Sequence, residues 1–335
     1  MTHADHQKQV RNLYWDTTGA AISICARPQW ADQEIEPGTI AGSIDGDVPA
    51  AAGTRLRRTS LTDSIDDPPE LAHFRSRLAR ARQHYKSFGD LWADYLDRQP
   101  HHLDTSIDAS GLGTIAVVED EPIPAELALT LGEFLYQLRA ALDNCLYAVA
   151  VIDSGQSPPP NAQLLEWPVC LNEDKWRAST RRLKALSPEI LTALEAVQPY
   201  QADSPDWNCL RILHDLARVD RHRALHLVTT YHAAGRAKID RSRVADFDTR
   251  MGVLGEDRIV ATFRWLSEET ITPGHLDLDL VLEIDTAGVT DSAHPVTGKP
   301  QRPWGSLDRR MQALVRAVEE YTEGLVAIAR DAQRT

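Results

Sequence analysis

The sequence predicts an α+β protein, a helical bundle core of four to six helices with a small, mostly antiparallel sheet. Two observations carry this. Apolar residues recur at three-to-four spacing over 71–96, 124–152, 174–223 and 306–331, as buried helix faces require. Strict alternation, the period of a half-buried strand, is confined to 103–118 and 225–284. The 335 residues are 42% apolar and 25% charged, enough for a substantial core in an ordinary globular chain.

Residues 1–68 are rich in breakers (Pro28, Pro37, Gly38, Gly42, Gly46, Pro49, Gly53), so a disordered or loosely docked arm is expected there. Tyr14, Trp15, Ile22 and Ile24 can dock as a short element. The remainder, 69–335, is expected to be one α+β domain. Its helical core spans 70–230 and its β-rich part 225–300, closed by a C-terminal helix over 305–332.

The first helix follows Pro68-Pro69. Leu71, Phe74, Leu78, Ala81, Tyr85, Phe88, Trp92 and Tyr95 form its buried face, and Arg75, Arg77, Arg80, Arg82 and Lys86 a solvated one. His101-His102 after the Pro100 stop reads as an exposed pair. A hairpin turning at Ala-Ser-Gly-Leu-Gly covers 103–118. The longest helix, 124–152, carries a wide stripe from Leu127 to Ile152, with Arg139 and Asp143 spaced to pair along it. LLEWPVCL, containing Pro168, reads as an edge strand. Helices over Asp174–Leu186 and Pro188–Val197 follow, the second capped by Ser187. A further helix from about Ser204-Pro205 fades near Arg223 into the strand LHLVTTY, which Gly235 ends. Strands at 258–266 and 276–284 precede the last helix. Its stripe (Leu307, Met311, Leu314, Val318, Tyr321, Leu325, Ile328) fits a seam against another helix or a second subunit.

Lys plus Arg number 36 against 49 Asp plus Glu, a formal charge of −13. Such a surface repels nucleic acid and anionic lipid at long range, so any RNA contact needs a local basic patch. Cys25, Cys145, Cys170 and Cys209 are scattered without a C-x-x-C pair, which speaks against a disulfide framework or a thiolate zinc site. The N-terminal residues lack the order of a signal peptide, and the longest apolar run is too short to span a bilayer. A cytoplasmic protein with no membrane association is expected.

The polar residues concentrate in 205–231. His214, Asp215, Arg218, Asp220, Arg221, His222, Arg223 and His226 are threaded through and just beyond an apolar stripe formed by Trp207, Leu210, Leu213, Leu216 and Ala217. Charges at the edge of a core demand partners. One account is structural: Asp143 pairs with Arg139, and Asp220 pairs with Arg218, Arg221, Arg223 or Arg139, with Asp215 in the same network. A second basic cluster, Arg177, Arg181, Arg182 and Lys184, is the candidate anion-binding surface.

GEFLYQLRAALDN (132–144), QPY (198–200) and VDRHRALHL (219–227) resemble a family of uncharacterised bacterial proteins with an LR-x-ALDH helix and a downstream DKHR. The likeness spans roughly residues 70–230 and implies no activity. The LR-x-ALDH form is also similar to the R-x(4–6)-H motif of the HEPN superfamily. These are small, usually dimeric helical bundles, many of them metal-independent ribonucleases. The resemblance implies RNA or a nucleotide as partner, a homodimer through helices, and no cofactor. In such a site imidazole moves a proton from a ribose hydroxyl while guanidinium holds the developing phosphorane charge. Here Arg139 is present, but Asn144 stands where the histidine belongs, and an amide is no base near neutral pH. Arg221-His222-Arg223-Ala224-Leu225-His226 repeats the spacing across an expected helix end. The catalytic candidates are therefore Arg139, Asn144, Arg221, His222 and His226. His222 and His226 also have H-x-x-x-H spacing, but no third ligand or glutamate accompanies them, and no metal is expected. No phosphate-binding glycine loop or nucleophile elbow is present.

Overall fold

The computed structural model describes residues 12–15, 21–24, 68–203, 205–223, 225–249, 252–253, 258–272, 275–287 and 306–334. Most of the expected N-terminal arm lies outside these residues. Within it are two short strands, β1 (Asn12–Trp15) and β2 (Ala21–Ile24). The described helices are α1 (Pro69–Asp97), α2 (Ala125–Ser154), α3 (Glu173–Leu183), α4 (Pro188–Ala196), α5 (Cys209–His222) and α6 (Leu307–Ala332). The remaining strands are β3 (His101–Ile107), β4 (Leu112–Glu119), β5 (Leu227–Ile239), β6 (Val244–Thr249), β7 (Gly252–Val253), β8 (Ile259–Trp265) and β9 (Leu276–Thr286). This is an α+β fold.

Two compact units divide these elements. The helical unit holds α1 up to Ser87, α2 from Leu129, α3, α4, α5 and α6 from Asp308. The β-rich unit holds the end of α1, the start of α2 and all nine strands. None of the described helices is long and apolar enough to cross a membrane.

In the helical unit the periodic stripes become the core. Leu131, Phe134, Leu135, Leu138, Leu142, Cys145, Leu146 and Val149 of α2 are completely buried, and Leu71, Phe74, Leu78, Ala81 and Tyr85 of α1 are buried as their spacing requires. The basic half of α1 is not simply solvated. Arg75 Nε pairs with Glu323 of α6 at 3.1 Å, Arg82 pairs with Glu319, and Arg77 donates to Gln137 of α2 at 3.0 Å. Cys145, Cys170 and Cys209 are buried free thiols.

Three local expectations are corrected here. LLEWPVCL is not a strand: after one 3-10 turn (Ala162–Leu164) it runs irregularly. Side chains take its backbone groups instead, and Cys170 N–H, for example, donates to the buried Gln198 amide oxygen at 2.9 Å. A backbone satisfied in this way needs no ladder. Helix α5 does not start at Ser204-Pro205. Pro205–Trp207 form a 3-10 turn that leaves Trp207 exposed, and Asn208 caps α5, accepting from Leu210 and Arg211 N–H at 3.0 and 3.3 Å. Ser187 does precede Pro188 at the start of α4, but its hydroxyl makes no cap.

In the β-rich unit one sheet has the order β1-β2-β9-β5-β7 and the other β3-β4-β8-β6. Among the described residues every pairing is antiparallel except a single parallel position, Ile24 against Leu280 of β9. Gly235 does not end β5. The strand continues to Ile239 across an irregularity between Ala233 and Ala237, because β9 is long enough to pair with it on both sides. β6 and β7 lie outside the strands expected from alternation.

His101 corrects the expectation of an exposed pair. It is 2% exposed, meets Tyr95 edge-on at 5.8 Å, and neither ring nitrogen has a hydrogen-bond partner. Burial holds its pKa below the usual histidine value, outweighing the opposing charge of Glu119. The unfolded chain therefore protonates this ring more readily, and stability is lost as pH falls through about 6.5, the unfolded value, towards the folded one. His101→Phe removes two unsatisfied polar atoms from the interior. It is expected to raise stability by about 1 kcal/mol at pH 7 and by more at pH 5. Thermal melts of both proteins between those pH values test this, and parallel pH profiles would contradict it.

Candidate functional site

The polar centre of the helical unit is built on α2. Arg139 and Asp143 lie one turn apart, and Arg139 Nη2 is 3.4 Å from Asp143 Oδ1. Together they grip one residue of the irregular segment. Arg139 Nη2 donates to the Trp167 carbonyl at 2.6 Å, and Trp167 N–H donates to Asp143 Oδ1 at 2.9 Å. Both backbone groups of Trp167, itself 1% exposed, are thus satisfied by two side chains of a single helix. The Arg139 side chain is 12% exposed and also meets the exposed Glu166 carboxylate at 3.2 Å. Its Nη1 is buried without a partner. Burial pushes the Asp143 carboxyl above its ordinary range, while the charges of Arg139 and Arg221 and the Trp167 N–H pull it back down.

Helix α5 supplies the second half. Its buried face is Cys209, Leu210, Ile212, Leu213 and Leu216. Arg211 is tied to Asp206 at 2.8 Å and to Asp215 at 3.4 Å. Near its end α5 runs hard against α2: a Cβ at Gly132 would lie 2.6 Å from both carboxylate oxygens of Asp220. Glycine at 132 is what allows this approach. Asp220 makes no ion pair with Arg218, Arg221, Arg223 or Arg139 among the described residues, contrary to the expected network. Instead burial against α2 raises its carboxyl pKa.

His214, Arg218 and Arg221 stand at i, i+4 and i+7 of α5 and so share one face. His214 is half-buried, and neither ring nitrogen has a hydrogen-bond partner among the described residues. Burial lowers its pKa. The charges of Arg139, Arg218 and Arg221 act in the same direction, and Asp215 opposes them. One imidazole therefore shares its helical face with two guanidinium groups. Arg218, Arg221 and Arg223 are exposed and make no ion pair among the described residues. Two guanidinium groups on one helical face without ion-pair partners, those of Arg218 and Arg221, suit an anion with several acceptor oxygens.

The other candidates are placed differently. Asn144 is half-buried and its side chain makes no hydrogen bond among the described residues, and the side chain that Arg139 meets is Asp143, one position earlier. Helix α5 ends at His222, and Arg223 is extended (φ −151, ψ 153). Arg221 and His226 therefore share no helical face, and His226 belongs to the β-rich unit. The same break separates His222 from His226, so their H-x-x-x-H spacing makes no ligand pair on one helix face. No cluster of three or more metal-ligating side chains occurs among the described residues. In the second basic cluster, Arg177 is taken by Glu173 at 2.5 Å, while Arg181, Arg182 and Lys184 are exposed around the end of α3.

Two features of the centre escaped the sequence. Glu166 and Trp167 lie too far from Arg139 along the chain for any spacing rule to link them. His214 was legible as the first member of a basic helical face, but nothing in the sequence brought Arg139 to it. Comparison with family models, curated proteins and solved structures finds no match for the chain.

Proposed function

We propose that the helical unit is a binding module for the phosphate groups of RNA or a nucleotide, with Arg218, Arg221 and His214 as the contact face and Arg139 as the charge behind it. The observation that carries this reading is the α5 face on which the half-buried His214 stands with Arg218 and Arg221, both exposed and without an ion-pair partner among the described residues. On a chain of net charge −13 such a patch is a local exception to the general repulsion of polyanions. Engagement of Arg139 by the backbone of Trp167 favours binding over catalysis, because a guanidinium committed to holding a loop is not free to follow a reacting phosphate. The likeness of LRAALDN to the HEPN pattern points to the same ligand class.

Anisotropy of a labelled oligoribonucleotide, titrated in EDTA at two salt concentrations, tests the reading. The double variant Arg218→Ala/Arg221→Ala, changed only at exposed positions, is expected to bind at least about tenfold more weakly and to lower the salt slope by about 2. Equal binding by the wild type and the double variant would refute it.

A second reading, metal-independent RNA cleavage, has one observation in its favour. His214 brings to the neighbourhood of Arg139 an imidazole that Asn144 cannot replace. Shortening of the RNA in EDTA that disappears in His214→Phe would support this reading, and intact RNA would remove it.

A further inference from the structure

His101 and His214 are both withdrawn from water, yet they differ in what surrounds them. The His101 nitrogens are sealed in the interior. Those of His214 are not among the sealed atoms and have no partner within the described residues, so a ligand oxygen can take them. The groups that act on His214 are Arg218, Arg221 and Asp215 on its own helix and Arg139 from α2; beyond Arg139 stand Asp143 and Glu166.

Resting on the anion-binding reading above, we propose that His214 contacts the bound phosphate as an imidazolium and that ligand binding at this face takes up a proton. Without ligand, a further positive charge on the helical face of Arg218 and Arg221 is disfavoured by partial burial and by repulsion. A phosphate oxygen placed at the α5 face, beside the imidazole and the Arg218 and Arg221 guanidinium groups, offsets that repulsion and accepts the new N–H. The protonated form is then favoured only when the anion is present. By linkage the reverse holds equally: acidification tightens binding by the factor by which the anion favours protonation. The proton comes from solvent and returns to it on release, so no bond in the ligand is made or broken. This makes His214 the residue that sets the pH range of binding, while Arg218 and Arg221 supply attraction at every pH.

The test uses the full chain and an oligouridylate without terminal phosphates, carrying a rhodamine label. Its phosphodiesters keep their charge between pH 5.5 and 8. Wild-type affinity is expected to rise about tenfold from pH 8 to pH 5.5, the effect of one unit of differential protonation. His214→Phe and His214→Gln, each checked for folding by its melting curve, are expected to bind more weakly with a flat profile. His222→Gln and His226→Gln are expected to keep the wild-type slope, which separates His214 from the exposed histidines nearby. A flat wild-type profile, or an unchanged slope in both His214 variants, overturns the proposal while leaving the binding reading intact. No binding by the wild type at any pH overturns both.

Discussion

Replacing Arg139 with alanine is expected to destabilise the helical unit by about 2–4 kcal/mol, among the largest effects of any single substitution in this chain. The change removes a charge-assisted hydrogen bond to the Trp167 carbonyl and leaves that carbonyl without its partner. It also deprives Asp143, whose carboxyl burial already penalises, of the cation that offsets the penalty. Arg139→Lys keeps the charge but loses the planar fork, so it should recover only part of the loss. Asp143→Asn keeps an oxygen for Trp167 N–H and removes the charge, so it should cost less than Arg139→Ala. Chemical denaturation followed by tryptophan fluorescence measures all three. A loss for Arg139→Ala within error of zero would show that the clamp on Trp167 holds nothing in place.

Gly113→Ala is expected to cost about 3 kcal/mol in the β-rich unit. Gly113 of β4 pairs with Phe263 of β8, and the far end of the Phe263 ring lies against it. A Cβ at 113 would come within 2.2–2.5 Å of three ring carbons, a distance no side chain tolerates. Phe263 is 1% exposed, so the ring has nowhere to move without opening the core around it. The conflict is pairwise, which gives the argument a sharper test than one midpoint. Phe263→Leu in the Gly113→Ala background should recover much of the loss, with a favourable coupling in the double-mutant cycle. Additive costs would mean that the ring does not rest on Gly113.

The helices were legible because each buries a stripe that repeats along its own length. All eight apolar positions marked on α1 from Leu71 to Tyr95 are buried, and the α2 stripe is sealed completely up to Val149. Local pairing was legible for the same reason: Arg139 and Asp143 meet because i and i+4 are neighbours on any helix. LLEWPVCL misled because its apolar residues and Pro168 are those of an edge strand. Whether a backbone finds a ladder or a side-chain partner depends on what the fold brings beside it, here Arg139, Asp143 and Gln198. Asp220 misled in the opposite way. Surrounded in sequence by arginines, it is open to an ion pair with any of them, but its position on α5 sets its carboxylate against Gly132.

What the amino-acid sequence determined alone is whatever depends on neighbours within a few residues: helix faces, the hairpin at 103–118, the strand period of β9, and the concentration of polar residues over 214–226. What only the tertiary structure decided is everything that joins distant segments. It seated α5 on α2 at Gly132 and fastened Trp167 to Arg139 and Asp143. The physical reason is range. Periodicity records which side of an element avoids water, and it carries no information about which other element will cover that side.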